Sequence, residues 1–177
     1  MAHVILGLLL LAPHTIYDLN KQFERTISLF YRASLGSLRS ALLGLLERGE
    51  VEFDEVVERG RTKKVYRPTE AGRAAFFAWM TGPLEGSDLE TAALSKLFFV
   101  GLLPDAAARH AVLADIADRA AGELAALEAV ETELASVTPP EPFAGVFRFQ
   151  RHTLAYGIGS TRHALEFFAG LRDAELP

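Results

Sequence analysis

A chain of 177 residues, half of them hydrophobic, is too apolar to be disordered throughout and too short for two full domains. It holds no cysteine, which excludes disulfides, thiolate metal sites and cysteine nucleophiles. Its formal charge of −5 excludes a uniformly basic coat, but the charge is uneven: residues 1–80 carry eleven Lys and Arg against nine Asp and Glu, and residues 81–177 carry seven against fourteen. Affinity for phosphate follows the local face, so the early part of the chain is where a polyanion would bind.

In chain order, the first predicted element is a helix from His3 to Leu11, apolar on nearly every side and therefore buried. The apolar stretch VILGLLLLA is too short to cross a bilayer, and no Lys or Arg precedes it, so a core helix is expected over a signal peptide. Pro13 ends it. Thr15 N-caps a second helix, with Asp18 three residues on as the acidic half of a capping box. Ile16, Leu19, Phe23 and Ile27 form its core stripe. Leu29, Phe30 and Tyr31 fall in the connection that follows.

Ser34 to Arg48, SLGSLRSALLGLLER, predicts a third helix. Leu38, Leu42, Leu45 and Leu46 recur at three- and four-residue steps, Leu43 falls beside them, and Gly49 stops the helix. Val51 to Val56 alternates as a strand, Glu58 to Thr62 turns around Gly60, and Lys63 to Arg67 returns until Pro68. Thr69 then caps a helix whose apolar side holds Phe76, Phe77, Trp79 and Met80. Thr81 to Asp88, TGPLEGSD, is a linker by composition. Beyond it the pattern is helical: Leu89 to Leu102, then Pro104 to Val137 with near-heptad spacing, the rigid turn TPPEP, and a last helix from Phe143 to Ala174. The two long helices make an antiparallel hairpin.

A short helix backed by a basic hairpin is the layout of a winged helix, which commonly reads DNA. In a helix-turn-helix the second helix lies in the major groove with its first residues at the base edges. Arg32, Ser34, Ser37 and Arg39 are the side chains within reach. Arg39 can fork onto a guanine, while the serines suit phosphate. Arg59, Arg61, Lys63 and Lys64 flank Gly60 and can touch phosphates or enter a minor groove. Strand alternation puts Lys63 and Lys64 on opposite faces, so one of the two is expected to miss DNA. The bland readings are an amphipathic core helix and a solvated, charged turn.

Trp79, Phe98, Phe99, Phe143, Phe147, Phe149, Tyr156, Phe167 and Phe168 can line an effector pocket, though such aromatics more often form core or interface. His152 and His163 are eleven residues apart, too far to share a metal, and His110 with Asp115 has no metal-ligand pattern. No nucleophile elbow, phosphate loop, dinucleotide fingerprint or zinc-protease motif occurs. No enzyme, metal or cofactor is expected.

At several of these places the chain resembles the PadR family of transcriptional regulators. ILGLLLLAPHTIYDL is similar to the family's opening, with Tyr17 and Asp18 matching and Ile16 in place of Gly. The run at the reading helix matches at Ser34, Gly36 and Ser37, with Leu35 in place of Pro and Arg39 in place of Tyr. ERGRTKKVYRPTEAGRAAF matches most closely, at Gly60, Arg61, Lys64, Tyr66, Thr69, Glu70, Gly72 and Arg73. LSKLFFVGLLP and the helices after it are similar to the dimerisation region of the longer, AphA-like branch. The resemblance implies a homodimeric transcription factor, usually a repressor, sometimes controlled by a small molecule.

The expectation is a mainly α protein, α+β in its N-terminal part: a winged helix-turn-helix over residues 1–82, a linker over 83–88, and a helical, coiled-coil-like dimerisation region over 89–177. Its expected function is that of a cytoplasmic, sequence-specific regulator binding double-stranded DNA as a homodimer, with a small aromatic or apolar effector as a further partner and no membrane. The alternative is a protein-interaction module that uses the same winged helix and hairpin without DNA. Operator, regulated genes, effector identity and the sign of regulation are not readable from residues.

Overall fold

The computed structural model describes every residue except Arg32, Arg59, Leu176 and Pro177. It divides into two compact units: residues 1–83 with 91–103, and residues 84–90 with 104–177.

In the first unit, α1 (Ala2–Leu11) is buried from Val4 to Leu9, since no polar side chain interrupts that run. Gly7 is required there: a Cβ would lie 2.7 Å from the Phe99 ring and 2.9 Å from that of Phe76. α2 (Ile16–Arg25) begins at the predicted capping box. The Asp18 amide donates to Thr15 Oγ1 at 3.2 Å, and the Thr15 amide donates to Asp18 Oδ2 at 3.3 Å. Leu19 and Phe23 are buried, and Ile27 follows in a short 3-10 turn. α3 (Leu35–Glu47) buries Leu38, Leu42 and Leu45, while Leu43 faces outward. Gly49, at φ 67°, lets the chain reverse after Arg48.

β1 (Val51–Glu58) and β2 (Arg61–Pro68) pair antiparallel from Val51 opposite Pro68 to Glu58 opposite Arg61. Gly60 turns between them at φ 75°. Both strands run further than the residue pattern predicts. Cross-strand partners extend almost to the turn: Phe53 with Tyr66, Arg67 with Glu52 and Asp54, Lys63 with Glu58. The hairpin is tied down at its root, where His14 and Tyr66 exchange backbone bonds at 3.1 and 2.8 Å.

α4 (Glu70–Thr81) starts where three backbone segments converge. Thr69 Oγ1 accepts from the Gly72 amide at 3.2 Å and donates to the Gly49 carbonyl at 2.6 Å. A Cβ on Gly72 would stand 1.8 Å from the Glu50 carbonyl oxygen, so only glycine lets α4 approach there. α5 (Leu89–Phe99) runs on into a 3-10 turn over Val100–Leu102. Residues 91–103 pack with the first unit, whereas the sequence reading assigns everything from 89 onward to the second. The reason is aromatic and polar together. Phe99 meets Phe76 edge-on at 5.7 Å, and Lys96, only 1% exposed, donates to the Gly82 and Pro83 carbonyls at the end of α4.

The second unit is a helical hairpin. α6 (Ala106–Ala135) is capped by Asp105, whose carboxylate accepts from the Ala108 amide at 2.7 Å. After a 3-10 turn at Glu141–Phe143, α7 (Ala144–Ala174) returns antiparallel. Arg109 pairs with Glu175, and Arg162 with Glu128, which fixes the register from one end toward the middle. Ile116, Ala120 and Leu124 are buried on α6, and Ile158 and Phe168 on α7. The alanine- and leucine-rich stripe of α6 thus has α7 as a partner within its own chain.

Candidate nucleic-acid interface

The start of α3 is the first half of the candidate surface. Its buried leucines hold one face to the core, which turns Leu35, Gly36, Arg39, Ser40 and Leu43 outward. Ser34 and Ser37 form a reciprocal cap. Each backbone amide donates to the other's hydroxyl oxygen, and Ser37 Oγ donates to the Ser34 carbonyl at 2.8 Å. Both hydroxyls, expected to reach phosphate, are therefore engaged in starting the helix. Sequence reading missed this because the third helical residue is Ser rather than Glu or Gln, the usual mark of a capping box. Arg39 lies one turn in, exposed, and makes no ion pair or hydrogen bond among the described residues.

The hairpin is the second half. Arg61 is exposed beside the Gly60 turn and likewise makes no ion pair among the described residues. Lys63 stands opposite Val56 and pairs with Glu58. Lys64 stands opposite Glu55, and its ammonium lies 4.1 Å from the centre of the Phe53 ring. The two lysines are on opposite faces of the ribbon, as alternation requires. β1 is acidic, and its carboxylates already hold Arg67, whose guanidinium is pushed above its ordinary value by its bonds to Glu52 and the nearby charge of Asp54. Among the described basic residues of the hairpin, Arg61 and Lys64 make no ion pair. Arg32 and Arg59, the other two predicted contacts, lie outside the described residues.

Between the start of α2 and β2 is an open cavity of about 370 Å³, lined by Tyr17, Asp18, Lys63, Lys64 and Tyr66 among others. Asp18 is held below its ordinary carboxyl value, first by the Thr15 hydroxyl and also by the charges of His14 and Lys63. Tyr17 and Lys21 are exposed beside it, with the ammonium 4.8 Å from the ring centre. The predicted effector aromatics do not gather here. Trp79, Phe98 and Phe99 belong to the first unit, and the other six to the second. Phe99 and Phe168 are core, while Phe143, Phe149 and Tyr156 are exposed. Among the described residues no group of His, Asp and Glu is arranged to hold a metal, and no helix is long and apolar enough to cross a membrane.

Residues 5–78 match the model of the transcriptional regulator PadR-like family. No curated protein matches the chain. Three solved structures are similar along nearly its whole length. Bacillus subtilis PadR in complex with operator DNA is 18% identical, with 99% of this chain and 98% of that one covered and a TM-score of 0.46. The PadR-like regulator BC1756 from Bacillus cereus is 24% identical, with 99% and 95% covered and a TM-score of 0.44. The Vibrio cholerae virulence activator AphA is 24% identical, with 98% and 96% covered and a TM-score of 0.42.

Proposed function

We propose, from the match of residues 5–78 to the PadR-like family model, that this protein is a sequence-specific, DNA-binding transcriptional regulator, a repressor acting as a homodimer in the cytoplasm. The observation that carries the reading is the first turn of α3. A firmly capped helix start presents an exposed arginine, with a second exposed arginine at the tip of a hairpin anchored through Tyr66. A groove-reading helix needs a fixed start, because base contacts come from its first residues. Arg39 would read a base edge, and Arg61 would hold phosphate or the minor-groove floor.

The dimer is read from α7. Val146, Phe149, Tyr156, His163 and Phe167 follow one another at steps of three, seven, seven and four, and all are exposed. That is the spacing of a coiled-coil seam, and it lies apart from the buried residues Ile158 and Phe168. A second copy of the chain would cover it and supply a second α3 for the other half-site, about one DNA turn (~34 Å) away. Control by a small aromatic or apolar effector is also part of the reading. The cavity at the root of the hairpin has the volume of a small-molecule site and two tyrosine rings in its lining.

Selecting bound fragments from random and genomic duplexes with the full-length protein tests the function. Enrichment of one sequence with two related half-sites supports it. No enrichment would leave the protein-interaction reading in its place.

A further inference from the structure

The outward face of α3 begins with an apolar side chain. Leu35 is the first helical residue and is 54% exposed. It stands one turn before Arg39 on the same face, since residues four apart are neighbours on a helix. Gly36 beside it is open: the nearest atom to an added Cβ is Ser34 Oγ, at 3.7 Å. Ser34 and Ser37, the other side chains of this turn, are occupied in capping each other. What the turn offers a ligand is therefore one apolar side chain, one bare stretch of backbone and one guanidinium. Resting on the DNA-binding reading above, we propose that Leu35 is a specificity residue that contacts the 5-methyl group of a thymine.

The major groove offers one apolar group to a reading helix, the thymine methyl, and it offers guanine N7 and O6 to an arginine fork. Leu35 and Arg39 are matched in kind to those two features. Their separation of about 5–6 Å between Cβ atoms corresponds to one or two base-pair steps. Each half-site then contains a thymine within two base pairs of the guanine read by Arg39. Leu43, 53% exposed on the same face, is two turns from the helix start and is not expected to reach a base.

The test changes the DNA and the protein separately. After selection of a preferred duplex with the full-length protein, each thymine of the half-site is replaced in turn by deoxyuridine, which removes only the methyl. Affinity is measured for the native protein, Leu35→Ala and Leu43→Ala. One deoxyuridine position per half-site is expected to weaken the native protein by about three- to fivefold, the effect of one buried methyl. Leu43→Ala should show the same loss, and Leu35→Ala should be indifferent to that replacement. Indifference of the native protein at every position overturns the assignment to Leu35, as does a Leu35→Ala variant as sensitive as the native protein. Either result leaves sequence-specific binding standing, whereas a selection that enriches nothing removes both readings.

Discussion

Ser34 and Ser37 hold each other: the Ser37 amide donates to Ser34 Oγ at 3.1 Å, and the Ser34 amide donates to Ser37 Oγ at 2.9 Å. Two amides at the start of α3 that would otherwise lack partners are satisfied at once. Ser34→Ala should lower stability by about 1 kcal/mol, and Ser34→Asn should restore most of it. Urea denaturation of the three proteins measures this. An unchanged midpoint for Ser34→Ala would return the hydroxyl to a direct role at phosphate.

Arg39 and Arg61 are expected to fail differently. Arg39→Ala should cost about 1–3 kcal/mol on the selected duplex and relax one position per half-site. Arg61→Ala should weaken selected and scrambled duplex together, with a salt slope shallower by about one unit for each phosphate that is no longer neutralised. Titrations of both variants across a salt series separate the roles. Equal weakening on both duplexes for Arg39→Ala would cancel its part in base reading.

Asp18 gives the first unit a pH dependence. Its carboxyl sits below the ordinary value of 3.8, chiefly through the Thr15 hydroxyl. Stability from a depressed carboxyl is present above its unfolded-state pKa and is lost as pH falls through the folded value. Asp18→Asn should therefore be less stable than the native protein at about pH 7, and the gap should narrow progressively as pH falls below about 4. Midpoints across an acid series decide it, and a gap that does not narrow would place the effect elsewhere.

Two glycines in helices should respond with opposite signs. Gly72→Ala drives a methyl into the Glu50 carbonyl and should cost about 3 kcal/mol or more. Gly122, within α6, has nothing within 4 Å of an added Cβ. Gly122→Ala should therefore stabilise by about 0.5–1 kcal/mol by restricting the unfolded chain. Thermal or urea melts of the pair check both signs.

Tyr156, 79% exposed, and Phe149 belong to the exposed apolar row of α7 from which the dimer is proposed. Tyr156→Glu combined with Phe149→Glu should turn a dimer into a monomer and lower affinity for a two-half-site duplex far more than for a single half-site. Light scattering of the native protein at micromolar concentration should give about twice the chain mass. A native monomer would end the dimer reading.

The residues by themselves determined the order and kind of the elements. Caps at Thr15 and Thr69, stops at Pro13 and Gly49, and leucines at helical spacing are local signals, and local hydrogen bonding and burial act on them directly. The hairpin was legible for the same reason, since Gly60 lies between two alternating runs. Tertiary structure decided what depends on residues far apart. It sent 91–103 to the first unit, because Phe99 packs on Phe76 and Lys96 donates to the Gly82 and Pro83 carbonyls just past α4. It covered the α6 stripe with α7 and left a second apolar row of α7 exposed, because only the antiparallel register shows which of two apolar faces is used. It also left Leu35 outside, because a helix's outward face is known only once its neighbours have claimed the other.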